Sequence, residues 1–469
     1  MAIVSKFSHA SATVDLNDTE TGFSMAGDGW MPAVATPIYK GDPEPVVETI
    51  HMRLKDNSQD AIATDMQALH FMQVQADAYI NDPTVDNPVW LHAKMDNETG
   101  ERRAVVYRIE VQYGASWYGD EATSLDIPVT LSVTRGPYWE STTARDLPTD
   151  TGATGMVYVY DYTASGASVD AHDIVGDVGA RLRYFEIDPL TGYRGIFWMG
   201  TRTAAKHGTL ANFVPTWELE DGTNDTDATD TVDATASDGN KVVVAESGLD
   251  WDNTWHRALR IELGDVTANE ADNLGMFLWL LRAKVTSGTW EVQIRFGNSQ
   301  SITMATGNTV ELTNSSWGIG EMGISTIPNS NVKSILSGDM AMTRADGYTI
   351  ALYAQRTAGS GNLELDCLAA VPVDTSFIKI EHDDPESENP VVFGQSPTAI
   401  WDGFLSESSI EVVQARISDD HFSLPVGDGR IYFVSSTDLT THAASATTSL
   451  NPSDAGKYYE RWLSLRGTE

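Results

Sequence analysis

Apolar positions along the chain repeat with two different periods. Between 59 and 80 they advance by three and four: Ile62, Met66, Leu69, Met72, Ala76 and Ile80. That spacing puts them on one face of a helix, with Asn57 or Ser58 as its cap and Asp82-Pro83 as its stop. Almost everything else alternates. Val105, Tyr107, Ile109, Val111 and Tyr113 oppose Arg108, Glu110 and Gln112, and Val129, Leu131 and Val133 continue the pattern. Trp290, Val292, Ile294 and Phe296 oppose Glu291, Gln293 and Arg295, while Leu259, Ile261 and Leu263 alternate with Arg260 and Glu262. Strands of this kind, broken by Gly, Asp, Asn and Ser, predict antiparallel sheets with one wet face. The fold class is mainly β: antiparallel sandwich or barrel units, one with a helix and one a jelly-roll sandwich.

Changes in composition suggest four stretches. Residues 1–40 show little periodicity yet hold Phe7, Phe23, Met25, Trp30 and Met31, too apolar for a free tail. They are expected to form an N-terminal arm that orders on a neighbouring subunit. Residues 41–146 hold the helix and strands that end at Arg135-Gly136-Pro137-Tyr138-Trp139. Residues 153–375 are expected to form a jelly-roll-like sandwich facing outward, and 376–469 a C-terminal β unit that packs with the first domain or duplicates it. Polar linkers at 146–152 and 374–390 bracket the sandwich, the second carrying Glu381, Asp383, Asp384, Glu386 and Glu388. Gly136-Pro137-Tyr138-Trp139-Glu140 is echoed by Gly456-Lys457-Tyr458-Tyr459-Glu460.

Charge narrows the function classes. The 469 residues include 30 Lys+Arg and 67 Asp+Glu, a net charge of −37. Such a chain does not coat nucleic acid, whose affinity for proteins comes mostly from Lys and Arg, and it is repelled by anionic lipid. The acidity also suits a solubility device in high salt. One cysteine, Cys367, rules out an internal disulfide and is expected to pack as a small hydrophobe. The apolar run Met276-Phe277-Leu278-Trp279-Leu280-Leu281 stops at Arg282, too short for a bilayer span. The first residues turn polar before a signal-peptide core could form, so a soluble protein folded in a cytoplasm is expected.

Candidate chemistry is sparse. The zinc-protease, nucleophile-elbow and phosphate-loop motifs are absent from the sequence. Gly318-Ile319-Gly320-Glu321-Met322-Gly323 matches a dinucleotide pattern but lacks a following helix, and reads as a glycine-rich β loop. The ten histidines are scattered. The acidic stretch 218–240 contains no Lys or Arg, and Asp225, Asp227 and Asp230 offer hard oxygen ligands. Without the glycine and terminal glutamate of an EF-hand, the segment is expected to be a solvated, mobile loop. Trp217, Trp251, Trp255, Trp317 and Trp401 sit near Gly, Asp and Asn, where aromatics plug sandwich ends, fill interfaces or stack on sugars. No catalytic, cofactor-binding or metal-binding residue is assigned, and no cofactor is expected.

Three stretches resemble structural tail proteins of tailed bacteriophages of the long, non-contractile kind. They are Val89–Lys94 with strand 104–113 and Ile127–Trp139, then Gly359–Asp374, which is similar to the last strand of carbohydrate-binding-module-like jelly rolls, then Tyr458–Gly467. The resemblance implies a non-enzymatic virion protein of the tail tube or distal tail, assembled in the host cytoplasm. It implies a homo-oligomeric ring or stacked tube, contacts with other tail proteins, DNA passing through an acidic lumen, possible display of a host-glycan-binding domain, and no membrane partner. The alternative is a non-enzymatic carbohydrate-binding adhesin or cell-surface module.

Overall fold

The computed structural model describes, apart from single positions and short gaps, residues 2–35, 44–81, 88–114, 125–161, 180–185, 195–203, 210–262, 275–327, 348–382, 410–411, 423–424, 429–436 and 456–465. The described chain is mainly β, with antiparallel pairing throughout its four sheets and one α-helix.

The first sheet has twelve strands. Its centre is Val46–Asp56, Leu125–Arg135 and Arg102–Tyr113, paired in that order. The helix, Gln59–Asn81, lies against Arg102–Tyr113, where Gln73 Nε2 donates to the Ile109 carbonyl at 3.0 Å. Ser58 caps the helix: its Oγ accepts the Ala61 N–H at 3.1 Å. The buried face is Ile62, Leu69, Met72, Ala76 and Tyr79, whereas Ile80 is 55% exposed. A spacing of 3.6 residues drifts across so long a helix, so the last turn buries Tyr79 in place of Ile80.

Residues near the N-terminus do not read as strands, yet Ala2–His9 pairs with Ala12–Asp15 and Val89–Met95, and Gly22–Met25 pairs with Val46–Asp56. Phe7, Phe23 and Trp30 are buried in the same core. Ala12–Asp15 and Gly22–Met25 are only four residues each, and in Ala2–His9 a register shift between Val4 and Lys6 breaks the alternation of buried Ala2, Val4 and Phe7, so periodicity does not reveal them; their apolar side chains are covered by their own chain.

The Arg-Gly-Pro-Tyr-Trp run is a structural node. Arg135 is fully buried and donates to Glu48 Oε1 from Nε at 2.9 Å and from a terminal nitrogen at 2.8 Å. Its guanidinium also lies 4.5 Å over the Trp139 ring, which packs edge-on against Trp30. A second buried pair follows at once, with Arg461 Nε donating to Glu140 at 3.0 Å. The two segments that echo each other in sequence are therefore neighbours in space. In the register, Trp139 faces Trp462 and Glu140 faces Arg461. Strand Gly456–Trp462 also pairs with Ala180–Phe185.

The sandwich is built from a six-stranded and a five-stranded sheet running from Thr216 to Pro372. Trp251, Trp279, Trp290, Phe296 and Met322 fill the space between. A third layer covers its other side: a six-stranded sheet containing Val157–Asp161, Gly429–Ser436, Gly195–Thr203 and Ser376–His382. Gly200 marks the contact, since a Cβ there would lie 1.9 Å from the Pro372 carbonyl oxygen. Phe213 stacks on Phe277 at 5.4 Å in the same layer. Three-layer packing explains why Leu363–Pro372 is buried at every position and why the 276–281 run is continuously apolar. Both strands are covered on both faces, which removes any alternation.

Gly318–Ile327 is a strand of the six-stranded sheet rather than a loop. Its glycines serve packing. A Cβ on Gly320 would meet Val310 Cγ1 at 2.4 Å, and Gly323 adopts φ +91° at a β-bulge opposite Trp279.

Candidate functional site

A dense array of ionisable groups among the described residues lies at the edge of the sandwich's six-stranded sheet, and the acidic stretch 218–240 contributes much of it. That stretch is not a loop. It forms strand Thr216–Glu218, a 3₁₀ turn Leu219–Asp221, and a hairpin of Ala228–Val232 with Asn240–Val244. Its own sequence supplies no cation, but the neighbouring strands do. Lys241 Nζ donates to Asp233 at 2.9 Å and to Glu364 at 2.6 Å, and Lys284 donates to Asp233 at 3.2 Å and lies 3.2 Å from Glu364. Thr235 caps Asp233 with both its N–H and its hydroxyl, and these bonds with the lysines hold the Asp233 carboxyl well below the usual range. Trp317, buried, closes the network: Lys284 lies 4.1 Å and Arg282 5.1 Å from its ring, and its Nε1 donates to Thr235 Oγ1 at 2.9 Å.

Beside this balanced network sits an unbalanced one. Asp366, fully buried, is held by Arg282 and by the Ser237 N–H at 3.0 Å. The Ser237 hydroxyl donates to Glu218 at 2.5 Å. Carboxylate oxygens of Glu218, Glu220 and Asp238 lie within 4.8 Å of one another, as do ligand atoms of Glu218, Asp366 and Cys367. Both Glu220 oxygens are shielded from solvent, and the side chain that faces them is the Asp238 carboxyl. Burial first, and neighbouring acidic groups after it, push Glu218 up to about 7 and Glu220 up to about 8. Such a trio either shares protons or holds a hard cation, since Glu218, Glu220 and Asp238 offer the oxygen donors that calcium or magnesium prefers. Burial also raises the Cys367 thiol, which stays protonated and packs as a small apolar residue.

Asp225, Asp227 and Asp230 are not brought together as a ligand set among the described residues. Asp225 forms a two-pronged ion pair with Arg257, at 2.7 and 3.0 Å, and Asp230 accepts from Asn224 at 2.6 Å. Of the tryptophans singled out by sequence, Trp251 is buried against Trp290 and Trp217 packs on Trp279. Trp255 is half-buried, and Trp401, Leu263 and the acidic run 383–388 lie outside the described residues.

A second cluster had no sequence signal, because its members are far apart in the chain. Ser8 Oγ and His92 Nε2 are 2.7 Å apart, and His92 Nδ1 is 3.2 Å from Glu101. Burial pushes His92 down to about 4. Glu101 is simultaneously held by Ser5 Oγ and faces Lys6 at 3.8 Å. A carboxylate shared among three side chains in this way clamps strands Ala2–His9 and Val89–Met95 together.

No family model matches the sequence, and no curated protein matches it. Among solved structures, the chain is similar to an agarase at 11% identity, with 37% of this chain and 25% of that chain covered and a TM-score of 0.21. It is also similar to an exo-β-1,3-galactanase from Phanerochaete chrysosporium, determined with galactose, at 12% identity over 61% of this chain and 78% of that one, with a TM-score of 0.20. The chain thus spans a quarter of the agarase's length. Likeness this distant carries no functional argument.

Proposed function

We propose that this chain is a structural subunit of a tailed-phage virion, assembling through its helix-bearing β body and displaying the sandwich outward. The observation that supports this reading is where apolar side chains remain exposed. Of the ten large apolar residues exposed among those described, seven lie in the first 113 residues: Met31, Val34, Val47, Phe71, Val74, Ile80 and Tyr113. Exposed apolar groups of this number on one body suit a surface covered by further copies. The net charge of −37 opposes indiscriminate association and keeps a lumen from holding DNA.

The test is particle mass by light scattering, with negative-stain imaging, for the wild type and a Val47→Asp/Val74→Asp variant. Rings or tubes for the wild type and small particles for the variant are expected. A wild type that stays monomeric across protein and salt concentration overturns the reading. A second reading, a glycan-binding adhesin, is supported by the open outer face of the five-stranded sheet, where bulges turn polar side chains to one side.

A further inference from the structure

We infer that the outer face of the five-stranded sheet carries a binding notch for the acidic group of an anionic sugar, floored by Ala351 and walled by Arg260 and Arg295. This inference rests on the adhesin reading of the sandwich and names its ligand class.

The notch is built by strand register. Across three strands, Arg260 faces Ala351 and Ala351 faces Arg295. The next row is Arg257, Tyr353 and Gln293. Ala351 is the small residue in the middle, and it leaves a gap between two guanidinium groups whose strands are about 10 Å apart, two strand spacings. Arg257 and Arg260 are three positions apart and would point to opposite faces of a regular strand. The register shift between Arg257 and Leu259 brings both to the outer face. A second register shift between Gln293 and Arg295 does the same for Thr306 and Thr309 on the strand beyond. Two irregularities that aim four polar side chains at one surface mark a shaped site.

The donors at the notch are not all used by the protein. Arg295 Nε donates to Gln293 at 3.1 Å and its guanidinium stacks 3.8 Å from the Tyr353 ring, which fixes its plane. Its terminal nitrogens have no protein acceptor among the described residues. Arg260 gives one terminal nitrogen to Glu262 at 2.7 Å, while its Nε is buried without an acceptor. Arg257 is committed to Asp225. The groups facing the notch are thus three arginines against Asp225 and Glu262, with Glu291 and Glu311 one row further along the strands. At the notch itself the three arginines exceed Asp225 and Glu262 by one charge, in a chain with 67 acidic residues.

Shape and surroundings select the ligand. The cavity is small, ≈ 20 Å³, room for the oxygens of one acidic group and not for a ring. Planar guanidinium groups hold carboxylate and sulfate oxygens in two-pronged geometry. Thr303, Thr306, Thr309 and Gln293 beside it offer hydroxyl and amide partners to the rest of a sugar. Nucleic acid is disfavoured, because the chain as a whole repels a polyanion.

The test is calorimetric titration of the full chain with trigalacturonate, a sulfated galactose trisaccharide and neutral galactotriose. Binding of either acidic sugar at least about tenfold tighter than galactotriose is expected, the value of one charge-assisted hydrogen bond. Which acidic sugar binds better identifies carboxylate or sulfate as the group. Arg295→Gln and Arg260→Gln should each weaken it about tenfold. Ala351→Leu, which fills the notch without touching a charge, should abolish it, and unchanged thermal melting shows that each variant is folded. Equal binding of galactotriose, insensitive to these variants, overturns the notch and leaves the adhesin reading standing. No binding of any sugar at roughly 10 mM overturns both.

Discussion

Removing the Glu48 carboxylate tests the buried node that ties the first sheet together. In Glu48→Ala, Arg135 keeps only carbonyl acceptors, those of Gly136 at 2.8 Å, Pro137 at 3.4 Å and Ala33 at 2.8 Å. An uncompensated buried charge of this kind costs about 3–5 kcal/mol. The Ala33 N–H, which lies 3.1 and 3.0 Å from the two Glu48 oxygens, also loses its acceptor, adding roughly 1 kcal/mol. Glu48→Gln keeps the shape and one acceptor, so it should cost about half as much. Glu48→Leu/Arg135→Met removes both charges and should recover most of the loss, because the pair's attraction and its desolvation nearly cancel. Tryptophan fluorescence is unsuited as a probe, since thirteen tryptophans report together. Amide exchange read by mass spectrometry on Val46–Asp56 and Leu125–Arg135 isolates the local opening free energy. A loss below about 1 kcal/mol for Glu48→Ala, or a double variant worse than either single one, refutes the reasoning.

Two further outcomes are expected. Because the folded-state pKa values of Glu218 and Glu220 are raised, their stabilising contribution is complete below the ordinary carboxyl range and is lost as pH rises through about 7 and about 8. Glu220→Gln should therefore flatten the fall in melting temperature between about pH 5 and 8.5 and converge with wild type near pH 4.5; millimolar calcium at pH 8 should raise the melting temperature of the wild type only, and parallel pH curves would refute this. Gly200→Ala forces a methyl group into the Pro372 carbonyl and should lower stability by about 2 kcal/mol or more, read as faster exchange in Gly195–Thr203 and Leu363–Pro372; an unchanged exchange pattern would show that the layers are not in contact there.

What could be read from the sequence was set by how locally each feature is encoded. The helix and the strands around Val129–Val133 and Trp290–Phe296 announce themselves because one face of each meets water. Leu363–Pro372 and Gly275–Val285 do not alternate, since a third layer covers their second face. The acidic stretch is misleading for a different reason. Its counter-charges follow it in the chain: Lys241 stands on the hairpin's own second strand, and Arg257 and Lys284 on strands that begin past it, Lys284 some forty-four residues beyond position 240. Local composition therefore predicts a solvated loop where cross-strand pairing builds a hairpin. The carboxylate trio joins Glu218 and Glu220, which precede that hairpin, to Asp238 in the connection between its strands, and no spacing rule finds it.

The closure of the first sheet by the last strand has a consequence for synthesis on the ribosome. Glu140 waits for Arg461, 321 residues later. At typical elongation rates of about 5–20 residues per second, the strand edge at Trp139–Ser141 stays open for tens of seconds while the sandwich, whose strands lie entirely between, is completed. An open edge is a template for pairing with another chain. Nascent chains on one message are thus exposed to mutual exchange of the Gly456–Trp462 strand, and yield in the cell should depend on translation speed and chaperone supply more than on the stability of the finished protein.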